Sequence, residues 1–464
     1  MYRTILTILL FVCPSTLSAV SPSGTLPVMY ITTRNNLSVS RDQAVEATLY
    51  VTGHGAYPSL GSSSEQIPLT IRGRGNWTWN GFDKKPYKIV FAQGYGQKLL
   101  GMNKSKHWAL LAGADEYFGF FKNTAGYYLS EQTGLPYTPH QVPVELVLNG
   151  SYEGLYFVTE TIRIDNDRVN IREQEDGETD PNIITGGWLV EIDNYSTEGN
   201  ITFHEDNGQY VMVTPQAPEV LSSVQRDYIT GQLYDLNDAI YNHGSKPLQN
   251  LLDLTDAARF YLVQEIMEDC ESYHGSCYLY KDRDSTDTRG NKVVAKWHFG
   301  PVWDFGNAYN RGKERFIYDG PSFSQIWIEQ LCRNELFSER VQQVWYQYRS
   351  QGHSSVLDRL DAFASEIASA AKRDAQRWNG ANAHTCDNVS DRKKEFVDRM
   401  SRRIDWLYSQ WGKGNSTPLP VDNSETATAE TSFSSSRSRI VMCHGQLFIE
   451  RNGKRYTLTG APVD

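Results

Sequence analysis

A change of hydrophobic period part-way along the chain limits the fold more than any other feature. Between about Pro27 and Val213, apolar residues occur in short runs bounded by Gly, Pro, Ser or Asn, which is typical of β-strands. The clearest runs are Val28–Thr32, Ala47–Val51, Ile67–Ile71, Pro86–Phe91, Val142–Val147, Gly154–Glu160, Trp188–Ile192 and Tyr210–Val213. Asn149-Gly150 between two of these runs predicts a hairpin, and one helix, about Asp115–Glu131, interrupts the strands.

From about Pro218 to Trp411 the apolar residues instead recur at spacings of three and four, which predicts amphipathic helices. The clearest segments are Asp256–Glu268, Val356–Ala370 and Phe396–Trp411. A β-rich half followed by a helical half predicts an α+β fold. Beyond Gly412, a segment rich in Ser, Thr, Pro and Asn predicts a linker, and Asn452-Gly453 predicts a hairpin in the tail.

The N-terminus predicts export. Residues 1–19 combine an early Arg3, an apolar run and a small residue at Ala19, which is the pattern of a secretory signal peptide. The protein is therefore expected to be secreted or to lie at the cell surface or in a periplasm; lipidation at Cys13 is an alternative. Five further cysteines follow, an odd number, so at least one is expected to lie outside any disulfide within the chain.

These features divide the chain into a signal peptide (1–19), a β-rich region (20–178), a mainly helical region (179–412), a linker (413–439) and a β-hairpin tail (440–464). The sequence carries 45 basic and 55 acidic residues, a net charge of −10, without a basic run. This balance argues against non-specific nucleic-acid binding. No later apolar stretch reaches the roughly 20 residues that span a bilayer, and the oligomeric state is left open.

A glycine-containing loop and three lysines are the first candidates for chemistry. The segment Arg72-Gly73-Arg74-Gly75-Asn76-Trp77 leaves a predicted strand, and its glycines would let the backbone approach phosphate groups. A plain turn is the alternative, because the third glycine of the fuller motif is absent. Of the lysines at 84, 85 and 88, Lys88 faces opposite to its apolar strand neighbours. It could reach a phosphate or simply be exposed.

The sharpest signal is Asp304-Phe305-Gly306, which follows a short apolar strand at Lys296–Phe299. Upstream, an acidic loop from Glu271 to Ser276 lies between the Asp256–Glu268 helix and the strand Cys277–Lys281. Protein kinases present a glycine-rich hairpin, a strand lysine, a catalytic loop and Asp-Phe-Gly in this order. The order therefore predicts phosphoryl-transfer chemistry.

With these motifs together, the chain resembles the CotH (spore coat protein H) kinase family of exported atypical kinases. The resemblance rests on stretches between about residues 65 and 310: Ile71–Asn76, Lys84–Phe91, Leu146–Tyr156 with Glu160, Tyr278–Asp282 and Gly300–Gly306. It implies an atypical protein-kinase-like fold of two lobes, the first β-rich and the second mainly helical, followed here by the short β tail. It also implies an ATP-dependent kinase that uses Mg²⁺ or Mn²⁺ and acts on an exported or surface protein.

The resemblance assigns roles to particular residues. Asp304 is expected to bind the metal, with Ser276 as a second metal and cofactor candidate. Gly73, Gly75, Lys85 and Lys88 are expected to contact ATP phosphates. Glu160, expected to lie where the lobes join, is a further cofactor-binding candidate. Either Lys122 or Asn123, on the helix of the first lobe, is a candidate for steadying the nucleotide lysine.

The chain departs from the family pattern at the catalytic base, where it has Glu271 in place of Asp. A glutamate keeps the carboxylate but moves it, and a displacement of about 1 Å can cost about 100-fold in rate. Asp269 is a nearby alternative at a different spacing, and His274 is an alternative by residue type. A second hypothesis therefore stands beside the kinase: a degenerate kinase-like surface module that binds envelope proteins or glycans. A metal and nucleotide pocket around Asp304 would favour the kinase.

Overall fold

A computed structural model describes residues 20–194, 200–204, 210–310, 314–319 and 327–420, together with the backbone of short strands between residues 439 and 463. The predicted signal peptide with Cys13 and most of the predicted linker lie outside the described residues. By contacts, the chain forms one compact unit of residues up to 284 and 294–420, and a second of 285–293 and 421–464.

The strands of the first unit are β1 (Val28–Thr33), β2 (Val45–Thr52), β3 (Ile67–Gly73), β4 (Tyr87–Phe91), β5 (His107–Leu111), β6 (Gln141–Leu148), β7 (Ser151–Glu160), β8 (Trp188–Ile192), β9 (Ile201–His204), β10 (Tyr210–Ala217), β11 (Cys277–Lys281) and β14 (Trp297–Phe299). Its helices are α1 (Trp77–Gly81), α2 (Phe121–Thr133), α3 (Ser223–Ile240), α4 (Leu248–Leu251), α5 (Leu254–Met267), α6 (Ile328–Arg333), α7 (Glu335–Gln347), α8 (His353–Arg377) and α9 (Val389–Trp411). The mixture confirms the predicted α+β class.

The first seven strands close into a barrel in the order β1-β2-β3-β4-β5-β7-β6. Neighbours pair antiparallel except at the closure, where β1 and β6 run parallel. Alternating burial along β4 places Tyr87, Ile89 and Phe91 in the core, and Lys88 on the other face. The first seven strands of the predicted β-rich half thus form a closed barrel with its own apolar interior.

The predicted Asn149-Gly150 hairpin is confirmed, because it joins β6 to β7 with both turn residues at positive φ (50° and 78°). A second sheet has the order β14-β11-β8-β10-β9. The antiparallel β8 and β10 are the predicted pair, with β9 added at the edge. The largest apolar core lies among this sheet, α2 and the helices α5 to α9.

In the second compact unit, β12 (Ser285–Thr286) pairs with β13 (Lys292–Val293). The tail strands are β15 (Arg439–Cys443), β16 (Gln446–Arg451), β17 (Lys454–Tyr456) and β18 (Pro462–Val463), which form a sheet in that order. The antiparallel pairing of β16 with β17 confirms the predicted tail hairpin. Among the described residues, no helix has both the length and the apolar character required to cross a bilayer.

Candidate functional site

The turn after β14 carries Asp304 in an unusual backbone conformation. Asp304 has a φ of 61°, in the left-handed region that non-glycine residues seldom adopt. Its side chain is exposed, and its Oδ1 accepts a hydrogen bond from the Gly306 amide at 3.2 Å. The carboxylate therefore stands at the surface on a tight turn, with only this local partner among the described residues.

Helix α2 supports this turn through two consecutive residues and a glycine. Asn123 Oδ1 accepts a hydrogen bond from the Phe305 amide at 3.0 Å. Lys122 Nζ donates to the carbonyl of Gly306 at 2.8 Å and to Asn310 Oδ1 at 3.0 Å. The Phe305 ring packs on Gly126, so closely that a Cβ there would overlap it. The backbone that positions Asp304 is thus set by the helix.

The loop before α2 in turn holds Asn123. The fully buried Glu116 accepts hydrogen bonds from Asn123 Nδ2 at 2.8 Å and from the Lys122 amide at 3.1 Å. Burial, followed by the charge of Asp115, raises the pKa of Glu116 to about 7. Glu116, Asn123 and the Phe305 amide therefore form one continuous chain of hydrogen bonds from the barrel side of the molecule to the Asp304 turn.

Further carboxylates converge on the same point. An added Cβ on Gly306 would lie 3.1 Å from Asp115 Oδ2 and 3.2 Å from Asp304 Oδ1, so the missing side chain leaves a space that both oxygens border. Burial, followed by the charge of Asp304, raises the pKa of Asp115 to about 6. Within the described residues, no lysine or arginine makes an ion pair with either carboxylate.

Asp269 and Glu271 lie on the facing acidic loop. Asp269 is buried, and its Oδ1 accepts a hydrogen bond from the Glu271 amide at 3.2 Å. Burial raises the pKa of Asp269 to about 8; the charges of Asp304 and Glu271 add to this, and the Glu271 hydrogen bond opposes it. The Glu271 carboxylate accepts a hydrogen bond from Asn307 Nδ2, three residues after Asp304. Both acids are therefore coupled to the Asp304 turn.

Two cations border this group of acids. Burial lowers the pKa of Lys122, and the surrounding carboxylates oppose the change. The Arg74 guanidinium lies 5.5 Å from the centre of the Trp303 ring, next to Asp304, and its charge opposes the rise in the pKa of Asp115. We call Asp115, Asp269, Glu271 and Asp304, with Lys122 and Arg74, the acidic site.

The predicted phosphate-contacting residues have varied surroundings. A Cβ on Gly73 would overlap the Trp79 ring, and Gly75 has a φ of 76°. Lys85 Nζ donates to the carbonyls of Trp79, at 2.6 Å, and Phe82 within its own loop. Lys88 is half-buried, and burial followed by neighbouring arginine charges lowers its pKa. The structure therefore commits Lys85 to its loop and leaves Lys88 in a cationic environment on the barrel wall.

Lys84 is fully buried and forms an ion pair with Asp374 of α8, with Nζ and Oδ1 2.8 Å apart. Its ammonium also donates to the carbonyl of Leu155 at 2.6 Å and faces the rings of Phe120 and Tyr156. Lys84 therefore links the barrel to helix α8.

Glu160 and Ser276 have local environments of their own. Glu160 is buried and accepts hydrogen bonds from the Tyr137 hydroxyl at 3.1 Å and from His140 Nδ1 at 2.9 Å. Ser276 directly precedes β11 and has a φ of 54°. Neither residue has a described contact with the carboxylate of Asp304.

A second cluster with the composition of a metal site lies at the start of α5. Side-chain atoms of Asp253, Asp256 and His298 lie within 4.8 Å of one another. Asp253 caps the helix by accepting from the Asp256 amide at 2.8 Å, and Asp256 pairs with both Arg259 and His298. These partners already satisfy the two acids, so the cluster serves as a helix cap and ion pair.

Comparison with known families identifies the family of the chain. The sequence pattern described as CotH kinase protein matches residues 71–407, which is most of the chain. The chain belongs to the CotH kinase family. This confirms the resemblance found in the motifs and supports a kinase-like function. A search of curated proteins gave no match.

Sequence reasoning did not select Asp115, Arg74, Asn307 or Asn310 for the site. Asn307 directly follows Asp-Phe-Gly and Asn310 comes three residues later, a proximity in sequence that could have indicated both. Asp115 was assigned to the start of a predicted helix. That start is wrong, because the helix begins at Phe121 and Asp115 lies on the preceding loop. Arg74 lies between Gly73 and Gly75, and the sequence pattern indicated the two glycines rather than the arginine.

Proposed function

We propose that this protein is an ATP-dependent kinase that transfers the γ-phosphoryl group to a hydroxyl of another exported or surface protein. The observation that carries the proposal is the exposed Asp304 carboxylate, held on the turn by α2 and bordered by a space shared with Asp115. Family membership supports the same chemistry.

A divalent cation suits this arrangement. Mg²⁺ prefers carboxylate oxygens, and the space next to Gly306 is bordered by carboxylate oxygens that lack an ion-pair partner among the described residues. Asp304 would hold Mg²⁺ or Mn²⁺, and Ser276 remains a candidate ligand by sequence alone. When bound, the cation would neutralise charge on the ATP phosphates.

The cationic side of the site is suited to the phosphates. Arg74 lies beside Trp303, and Lys88 faces outward from the barrel in a cationic environment. We assign phosphate contacts to Arg74 and Lys88, with the backbone around Gly75, whose positive φ favours glycine. Lys85 is a weaker candidate because two carbonyls of its own loop hold its ammonium.

The acidic loop supplies the carboxylate that orients the acceptor hydroxyl. We assign this role to Asp269, which is held on the loop by the Glu271 amide and whose pKa, raised by burial to about 8, lies near the operating pH, as suits a general base. Glu271 engages Asn307 and would hold the loop against the Asp304 turn. In the transfer, the acceptor oxygen bonds to the γ-phosphorus, the bond to the bridging oxygen of ADP breaks, and the hydroxyl proton passes to Asp269.

The remaining expectations belong to the same proposal. We propose that the barrel and the helical region act as the two lobes of an atypical kinase, with nucleotide bound at the acidic site. We also propose that residues 1–19 direct export, so that the acceptor is an exported or surface protein.

Transfer from γ-labelled ATP tests the function. Residues 20–464 would be incubated with Mg²⁺ or Mn²⁺ and casein as a general acceptor, scoring self-labelling as well. The variants are Asp304→Ala, Asp269→Asn and Glu271→Gln, with Asp398→Asn, an exposed acid on α9, as the charge-matched control.

We expect transfer by the parent and the control, loss in Asp304→Ala and Asp269→Asn, and a smaller decrease in Glu271→Gln. Loss in Glu271→Gln with activity retained in Asp269→Asn would make Glu271 the base. Absence of transfer by every protein, the parent included, would contradict the kinase and favour a degenerate surface module.

A further inference from the structure

Asp115 is a largely buried carboxylate that the chemistry described so far does not require. It lies on the loop between β5 and α2, whereas Asp304 lies more than 180 residues later on the turn after β14. Burial, followed by the charge of Asp304, disfavours its ionised form; its own backbone offers a hydrogen bond, but no other side chain among the described residues does. Burying a carboxylate without a cation paired to it is costly.

Gly306 leaves room between this acid and Asp304. The position of its absent Cβ lies 3.1 Å from Asp115 Oδ2 and 3.2 Å from Asp304 Oδ1, so any side chain at 306 would press against both oxygens. The nearby Lys122 ammonium is already directed at the Gly306 carbonyl and Asn310. Two like charges facing one space without a cation repel each other, and a divalent ion would relieve that repulsion.

We propose that Asp115 is a second carboxylate ligand of the divalent cation, so that the β5–α2 loop and the Asp304 turn hold the ion together. The proposal rests on the proposed function in that the ion is the one that would accompany ATP. It makes cation binding a link between the barrel side of the molecule and the Asp-Phe-Gly turn. Gly306 is then required for its lack of a side chain.

Direct Mn²⁺ binding tests this without any activity. Calorimetry and Mn²⁺ paramagnetic resonance would compare residues 20–464 with Asp115→Asn, Gly306→Ala and the Asp398→Asn control, each with and without a non-hydrolysable ATP analogue. We expect Asp115→Asn to weaken Mn²⁺ binding by about tenfold or more, the effect of disturbing a metal site. Gly306→Ala, which keeps every charge, is expected to weaken it as well, and the control to leave it unchanged.

Thermal unfolding in EDTA separates ligation from a structural role. If Asp115 is a ligand, Asp115→Asn unfolds in EDTA at or above the temperature of the parent, because one of two facing like charges is gone, and Mn²⁺ stabilises the parent more. Parent-like Mn²⁺ affinity in Asp115→Asn, or no Mn²⁺ binding by the parent in either arm, would overturn the proposal. Affinity lost in Asp115→Asn while no protein transfers phosphate would retain the ligand and reject the kinase instead.

Discussion

Two groups of charged side chains in this molecule have opposite balances of charge. At Lys84 and Asp374, one ammonium meets one carboxylate at 2.8 Å, with no exposure of either side chain. The acidic site has four carboxylates and two cations, and the ammonium of one of these, Lys122, is bound to a carbonyl and an amide oxygen. The first arrangement matches one cation with one anion, whereas the second has more carboxylates than cations and, under our proposal, would gain from a bound cation. We infer that the first stabilises the fold and the second serves the function.

The largest effect is expected from breaking the Lys84–Asp374 ion pair. Lys84→Met would leave Asp374 buried without its cation, which costs about 3–5 kcal/mol of unfolding free energy. Urea denaturation measures the loss. The double variant Lys84→Met/Asp374→Asn should recover most of it, because an asparagine still accepts the Leu155 amide that Asp374 accepts at 2.8 Å. A loss below about 1 kcal/mol in the single variant, as for a surface pair, would contradict the comparison.

Removing the support of the Asp304 turn should come next. Asn123→Ala deprives the Phe305 amide and the buried Glu116 of partners, at about 1–3 kcal/mol for each group that water does not reach. Because the turn loses its anchor, Mn²⁺ affinity should fall together with the urea midpoint. A stability loss with unchanged Mn²⁺ affinity would show that the turn holds its shape without α2.

A methyl group between α2 and the turn should have a smaller effect on stability. Gly126→Ala inserts a Cβ into the Phe305 ring, and overpacking of this kind costs about 1–3 kcal/mol. Gly231→Ala on α3 is the matched control, since its Cβ would meet nothing within 4 Å and should stabilise the helix by about 0.4–1 kcal/mol. Equal effects of the two variants in urea and Mn²⁺ titrations would rule out the packing role of Gly126.

The smallest effect concerns the Glu160 pair, away from the acidic site. The hydrogen bond from Glu160 raises the pKa of His140. The resulting stabilisation is complete below the ordinary histidine pKa near 6.5 and is lost as pH rises through the raised value. Urea midpoints of the parent and His140→Gln should differ most near pH 5.5 and converge by about pH 8. A difference between the two urea midpoints that grows as the pH rises would contradict a stabilising role of the protonated His140.

Local chemistry predicted much of this fold. The Asn149-Gly150 turn and β1 to β4 follow from residue pattern within a few positions. The three predicted helical segments coincide with α5, α8 and α9, although α8 and α9 extend beyond them. β5 was missed, because its short apolar run shows no alternation of buried and exposed residues, and such a run cannot be told from a buried helical segment by its period. The closure of the barrel by parallel β1 and β6 joins residues more than 100 positions apart, which no local pattern indicates.

The residues of the site likewise include some that local sequence indicates and others that only tertiary packing brings together. Asp304 could be selected because Asp-Phe-Gly is contiguous in sequence. Asp115 and Asn123 join it only through the packing of α2 on the turn. The helix also begins six residues later than Asp115, after Gly119 and Phe120 at positive φ. The loop that carries Asp115 and Glu116 therefore looked helical from composition while serving as a support for the site.

Titration calorimetry of ATP with Mg²⁺ against the parent, Asp304→Asn and Lys84→Met/Asp374→Asn tests the central claim most directly. We predict that Asp304→Asn loses Mg²⁺-dependent ATP binding and keeps the parent's stability, because its exposed carboxylate contributes little to the fold. The double variant should bind as the parent does. Parent-like ATP binding by Asp304→Asn, or binding lost only when the Lys84 pair is replaced, would contradict the assignment of function to the acidic site.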